Sequence, residues 1–255
     1  MDVKKIEVGV VGLGLMGCSI TTCLLMAGHP VKAIAGIPDD LKFAKDRISD
    51  HLRRSRKEGL ITSPPGHYFK SLVLSGDYGL LKDCELVIEC TLENLDIKKK
   101  VYEKIQAVIR PDAFLTSNTS AIPISILQKQ TRHPGRFYGL HWMEPSHTTR
   151  FLEVICGAES DVSKGEFLCE LSQRWGKEPT FVRKDIRGFI TNRLMYACYR
   201  QAFFLVENGY ATVEDVDRAC RNVPGYWMTL VGPFRWMDLT GVPAYHTVMK
   251  DLFPT

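Results

Sequence analysis

The sequence predicts an α/β chain, with a doubly wound, mostly parallel sheet over residues 1–184 and a smaller all-α domain over 185–255. Three observations predict it. Strand-length apolar runs alternate with helical segments through the first two-thirds, the pattern of a parallel sheet covered by helices on both faces. A glycine triplet, Gly12-Leu13-Gly14-Leu15-Met16-Gly17, follows the first apolar run directly. Beyond Asp185 the apolar residues shift to helical spacing, at Ile190, Leu194, Ala197, Cys198, Ala202 and Leu205.

Residues 6–11 read as the first strand, and the triplet then has the form G-x-G-x-x-G ahead of an apolar helix over 20–27. That setting makes it a dinucleotide site; an ordinary strand–turn–helix is the alternative. Gly12 allows the tight turn, Gly14 lets backbone approach a pyrophosphate, and Gly17 lets the helix pack on the strand. With Leu15 and Met16 these are the candidate cofactor-binding residues, and the helix N-terminus offers N–H groups and a positive dipole end to the phosphates. Gly28 stops this helix, and 31–35 is the second strand. A charged, exposed helix over 38–58 closes at Gly59. Short strands follow at 71–75 and 86–90. Asn94 caps a helix to about residue 108, and Pro111-Asp112 turns the chain. Strands over 114–117, 137–141 and 151–156, a helix over 163–175 and a strand over 180–182 complete the first domain. In the tail, a helix over 188–207 ends at Asn208-Gly209, and Thr212 with Glu214 and Asp215 opens the next. Pro224-Gly225 and Gly232-Pro233 break the chain before shorter helical pieces.

Composition is that of an ordinary globular protein, with 45% hydrophobic and 24% charged residues. The net charge of +4 gives no argument for nucleic acid, although it suits an anionic small molecule. No apolar run reaches the ~20 residues of a membrane span, and the first strand begins too early for a signal peptide, so no membrane partner is expected. Eight cysteines (Cys18, Cys23, Cys84, Cys90, Cys156, Cys169, Cys198 and Cys220) include no C-x-x-C pair. They read as reduced thiols of a cytoplasmic protein, with no disulfide frame and no metal site.

Two further positions carry chemistry. The second strand should end in a carboxylate that accepts hydrogen bonds from an adenosine ribose, but it runs Ala33-Ile34-Ala35-Gly36-Ile37. Asp39 and Asp40 follow slightly later, and NAD and NADP both stay open as the cofactor. His141 ends one strand and Glu153 lies in the next. An imidazole there can take a proton from a hydroxyl while a carboxylate on its second nitrogen fixes the tautomer. On spacing alone, a core histidine beside an unrelated strand carboxylate is the commoner arrangement.

Several segments in order resemble the 3-hydroxyacyl-CoA dehydrogenases over almost the whole chain. They are Gly12–Gly17, Glu89-Cys90-Thr91-Leu92-Glu93-Asn94-Leu95, Ser117-Asn118-Thr119-Ser120, Leu140-His141-Trp142-Met143-Glu144-Pro145, Leu152-Glu153-Val154-Ile155, Gly188-Phe189-Ile190-Thr191-Asn192-Arg193 and Gly232-Pro233-Phe234. The resemblance implies a Rossmann-like nucleotide domain and a helical domain that makes a homodimer. By the same resemblance His141 is the catalytic base and Glu153 its orienting partner. Ser117 and Asn192 hold the substrate oxygen and thioester, and Glu93, Lys98 and Ser117 lie on the nicotinamide side of the cofactor. Lys98 belongs to a Lys98-Lys99-Lys100 run that a solvated helix face explains equally well.

The chain departs from the family pattern at defined places. Glu144 stands where the family has Asn in the substrate pocket, and an ionised carboxylate cannot donate a hydrogen bond to a carbonyl oxygen. His51 and Glu58 occupy positions the family uses for coenzyme A, with Arg53, Arg54, Arg56 and Lys57 beside them. The chain ends soon after Leu252, short of the usual family C-terminus. The stretch from Tyr226 to Pro233 resembles the gulonate and carnitine dehydrogenase branch. The first expectation is therefore hydride transfer between a nicotinamide dinucleotide and the 3-hydroxyl of an acyl-CoA, a reaction of fatty acid metabolism. A small free 3-hydroxy acid or a carrier-bound acyl group is the second, and a cofactor-binding protein that has lost catalysis is the third.

Overall fold

A computed structural model describes residues 5–253. In chain order the first part holds β1 (Val8–Val11), α1 (Leu15–Met26), β2 (Val31–Ile34), α2 (Pro38–Lys57), α3 (Pro65–Tyr68), β3 (Leu72–Ser75), β4 (Leu86–Glu89), α4 (Leu95–Gln106), β5 (Phe114–Ser117), α5 (Ile124–Gln128), β6 (Phe137–Trp142), β7 (Phe151–Cys156), α6 (Val162–Gln173) and β8 (Glu178–Val182). Five helices follow: α7 (Thr191–Glu207), α8 (Val213–Asn222), α9 (Pro224–Met228), α10 (Pro233–Thr240) and α11 (Val242–Leu252).

The strands form one sheet in the order β3-β2-β1-β4-β5-β6-β7-β8. Every neighbouring pair is parallel except β6 and β7. From β1 the chain winds outward through β2 and β3, then returns to the other side of β1 with β4. A topological switch therefore lies between β1 and β4, and such sheets bind ligands outside the carboxyl ends of the strands at that point. The buried strands are continuous apolar runs, as expected when helices cover both faces. One core cluster packs Val8, Val10, Ile20, Leu24 and Ile48 on one face, and a second packs Val11, Val87, Tyr102 and Ile105 on the other.

Caps follow the sequence closely. Asn94 Oδ1 accepts from Asp96 N and Ile97 N at the start of α4, and Thr212 Oγ1 accepts from Asp215 N at the start of α8. Gly28, Gly59 and Gly209 take positive φ at helix ends. Helix α7 begins at Thr191 rather than 188, because Gly188 (φ 79°) and Phe189 (φ 50°) are left-handed and no helix can run through them. Pro224 and Pro233 separate the short helices α9 and α10 from what precedes them, as expected, and each stands in the first turn of its helix. The chain separates into two compact units after Thr191, whereas the change of sequence pattern suggested a break after residue 184. Within the second unit the rings of Trp227 and Trp236 stack 5.1 Å apart.

Candidate active site

The glycine loop joins β1 to α1 beside the switch point. Gly12 has φ 96°, and a Cβ there would lie 2.8 Å from the Cys90 carbonyl oxygen. A Cβ on Gly17 would lie 1.8 Å from the carbonyl oxygen of Gly12, so only glycine lets the helix start this close to the strand. Gly14 differs: a Cβ there meets nothing within 4 Å, and Gly14 caps α1 without a side-chain hydrogen bond. The backbone at Gly14 thus faces open space at the positive end of a helix, just ahead of Leu15 and Met16. At the end of β2, Ala35 is buried and its N–H pairs with Ser75 O, so no ribose carboxylate stands there. Asp39 and Asp40 sit in the first turn of α2, and the Asp40 charge acts on Cys18 in α1.

Beside this loop the ends of β4 and β5 carry a buried polar cluster. Glu89 is fully buried. Its Oε1 accepts from Thr91 N (2.6 Å) and Lys98 Nζ (2.9 Å), and its Oε2 accepts from Ser117 Oγ (2.7 Å) and Tyr102 OH (3.0 Å). Ser117 is fully buried with its hydroxyl donated to Glu89, an arrangement the loop sequence did not announce, and the exposed residue of that loop is Ser120. Lys98 is also fully buried, whereas Lys99 and Lys100 are exposed, so the lysine run is not a uniformly solvated face. Glu93 lies 3.5 Å from Lys98 with a side chain 39% exposed. Its Oε1 accepts from Thr119 Oγ1, Ser120 N (3.0 Å) and Ala121 N (3.1 Å). Burial opposes its charge, but the Thr119 hydroxyl, the Lys98 ammonium and the backbone N–H groups outweigh that and hold the carboxyl below its ordinary range.

His141 and Glu153 face each other across the antiparallel pair β6–β7, directly in register. His141 Nδ1 lies 2.8 Å from Glu153 Oε2. The other oxygen, Oε1, accepts from Ile190 N (3.1 Å), Thr191 N (2.9 Å) and Thr191 Oγ1 (3.2 Å) at the start of α7. Burial resists the charge on Glu153, yet the His141 hydrogen bond and the two backbone N–H groups prevail, so its carboxyl is held below its usual range. An ionised carboxylate only accepts, so Nδ1 carries the hydrogen and Nε2 is left as the basic nitrogen. The imidazole is clamped edge-on by Phe151 at 5.4 Å and packed by Phe189 at 5.6 Å. Phe189 is buried in left-handed backbone, a conformation that costs about 1–3 kcal/mol for such a residue and clusters at functional sites. Asn118 Oδ1 accepts from Trp142 N (3.0 Å), tying the β5 loop to the residue after His141.

Glu144 faces another neighbourhood. Its charge acts on Cys18 and His51, and its Oε2 is buried with no hydrogen-bond partner. His51 bonds Thr22 Oγ1 at 3.3 Å and stacks on His147 at 4.6 Å, so its ring is tied to α1 and the β6–β7 turn. Glu58, Arg53, Arg54, Arg56 and Lys57 are exposed, with Arg53 paired to Asp50. Asn192 is the first residue of the second unit and follows Thr191 in the first turn of α7. Among the described residues no cluster of His, Cys, Asp or Glu is suited to a metal. No helix among the described residues is long and apolar enough to cross a membrane.

Sequence reasoning passed over Glu89, His147 and Phe189 as neighbours of these groups. A carboxylate ending the apolar strand Leu86-Val87-Ile88-Glu89 was the available signal for the first. Nothing local marked the other two.

A family model described as the 3-hydroxyacyl-CoA dehydrogenase NAD binding domain matches residues 7–186, and the model of that family's C-terminal domain matches 188–255. A 5-formyl-3-hydroxy-2-methylpyridine 4-carboxylate 5-dehydrogenase from Mesorhizobium japonicum is 32% identical over 247 residues, covering 96% of this chain and 79% of that protein. The 3-hydroxyadipyl-CoA dehydrogenase of Escherichia coli K12 is 32% identical over 254 residues; the alignment covers 99% of this chain but 53% of that protein, so the chain spans about half of its length. A crystal structure of a 5-formyl-3-hydroxy-2-methylpyridine 4-carboxylic acid 5-dehydrogenase, described as an NAD+ dependent dismutase, superposes with a TM-score of 0.88 at 31% identity. It covers 97% of this chain and 80% of that one.

Proposed function

The chain belongs to the 3-hydroxyacyl-CoA dehydrogenase family, and from that premise we propose that it is an NAD-dependent oxidoreductase interconverting a 3-hydroxyl and a 3-oxo group on a small acyl thioester. The single observation that carries this reading is the His141–Glu153 pair, 2.8 Å apart on adjacent strands of the same sheet as the glycine loop. The loop fits NAD: the backbone at Gly14 is open where a Cβ would meet nothing, and α1 begins there without a side-chain cap. Gly14, Leu15 and Met16 would hold the pyrophosphate, with Glu93 on the nicotinamide side.

Bound NAD supplies the acceptor for hydride. His141 Nε2 takes the hydroxyl proton as the carbon–hydrogen bond breaks and returns it in the reverse direction. Glu153 keeps Nδ1–H in place and stabilises the imidazolium, and its own orientation is set by the N–H groups of Ile190 and Thr191. Phe151 and Phe189 keep bulk water off the ring. By the family resemblance, Ser117 and Asn192 are the polar groups assigned to the substrate.

A specific observation favours a second substrate class. The family's coenzyme A positions hold a tethered His51 and an acidic Glu58, and the Mesorhizobium relative is named for a free carboxylate substrate. A small free hydroxy acid is therefore the second reading. Rates with NADH on acetoacetyl-CoA and on free acetoacetate separate the two: reduction of the thioester alone supports the first, reduction of the free acid alone replaces it with the second. The reading includes a homodimer, supported by exposed apolar residues Leu194, Phe203 and Phe204 on α7, and a reducing, cytoplasmic setting, supported by eight cysteines that include no C-x-x-C pair.

A further inference from the structure

The proton chemistry of His141 and Glu153 makes no use of Glu89, yet Glu89 is fully buried at the end of β4. It sits in register with Val11, the last residue before the glycine loop, and with Ser117, the last residue of β5. Taking a carboxylate and an ammonium out of water costs several kcal/mol each, and an apolar pair of similar volume is often at least as stable. Stability alone is therefore a weak reason for Glu89 and Lys98 to be there; what the pair supplies is position.

The contacts form a chain. Glu89 takes Lys98 Nζ on both oxygens, at 2.9 and 3.0 Å. Lys98 reaches on to Glu93 Oε2 at 3.5 Å and to Thr91 O at 3.5 Å. Glu93 gathers Thr119 Oγ1 and the N–H groups of Ser120 and Ala121. Glu89 also holds Ser117 Oγ at 2.7 Å. Both ends of the Ser117–Ala121 segment thus depend on one buried carboxylate, directly at one end and through Lys98 and Glu93 at the other. The segment lies at the carboxyl ends of the strands, beside the switch point.

We propose that Glu89 is a positioning residue which, through Lys98 and Glu93, holds the Ser-Asn-Thr-Ser loop in the shape that receives the nicotinamide end of NAD. The proposal rests on the NAD-dependent reading above. It needs no contact between Glu89 and any ligand.

The test is NAD binding to the full-length protein by calorimetry, with thermal melting and steady-state kinetics on the same samples. Loss of one charged hydrogen-bond link predicts that Glu89→Gln raises the Kd for NAD by about tenfold, while KM for the oxidisable substrate at saturating NAD stays within about twofold. The double variant Glu89→Gln/Lys98→Met leaves no buried charge, so it melts near the wild-type temperature yet keeps the weakened NAD affinity. Tyr102→Phe removes a Glu89 donor without touching Lys98 and keeps wild-type affinity. A folded double variant with wild-type affinity for NAD overturns the proposal, as does a Tyr102→Phe protein that loses affinity as much as Glu89→Gln. Because the readout is binding, it stands apart from the substrate reading. A wild-type protein that binds NAD but turns over neither thioesters nor free acids defeats the substrate reading and leaves this test intact.

Discussion

At the scale of single residues, the chemistry turns on which nitrogen of His141 is free. Glu153 fixes that by accepting at Nδ1 while its other oxygen is held at the start of α7. Glu153→Gln keeps the shape but removes the charge that stabilises an imidazolium, so kcat should fall by on the order of 10²-fold with NAD affinity unchanged. Stopped-flow rates and NADH fluorescence titration check both halves. The Glu153 carboxyl is held below its ordinary range, so its stabilising contribution is present at neutral pH and is lost only as pH falls through and below the usual carboxylate value of about 4.3. Residue-level sequence reasoning placed His141 and Glu153 correctly opposite each other, because alternation along two neighbouring strands brings such residues to one face. It gave no sign of the Ser117–Glu89 hydrogen bond, because the direction in which a strand-end hydroxyl points depends on Glu89 from the adjacent strand, which pairs with it only in the folded sheet.

At the scale of elements, the β1–loop–α1 unit makes a sharper statement than its glycine pattern does. Gly17 is required by the fold, because a Cβ would lie 1.8 Å from Gly12 O, whereas Gly14 is open in the protein by itself. Gly17→Ala should therefore lower both stability, by about 1–3 kcal/mol, and NADH affinity. Gly14→Ala should leave the melting temperature unchanged and weaken NADH binding, since the space at Gly14 is that of the ligand. Equal effects of the two substitutions on melting would refute this division. Strands and caps were legible because apolar runs, Asn94 and Thr212 act locally. The start of α7 was not, because helical spacing continues through Gly188 and Phe189 while their backbone turns left-handed. Likewise the burial of Lys98 within a run of three lysines follows from Glu89, a partner nine residues earlier in the chain.

At the scale of the whole molecule, three histidines outside the reacting site make the fold acid-sensitive. His29 is buried between Ile6 O and Trp175 Nε1, and burial lowers its pKa. Burial also lowers that of His51, and burial with the nearby His51, Lys177 and Arg54 takes His147 down to about 4. A histidine whose folded pKa lies below its unfolded value takes up more protons when unfolded, so its cost to stability appears as pH falls below about 6.5. Thermal melts should show a midpoint that is flat above that pH and falls steadily toward pH 4; a midpoint that does not change across this window would contradict the assignment. The account as a whole stands on the His141–Glu153 pair acting beside bound NAD, and the most direct measurement is NADH-linked reduction of acetoacetyl-CoA by wild type and His141→Gln. The expected result is a fall in kcat on the order of 10²–10⁴-fold with NADH still bound at wild-type affinity. Equal turnover by the two proteins would contradict the account.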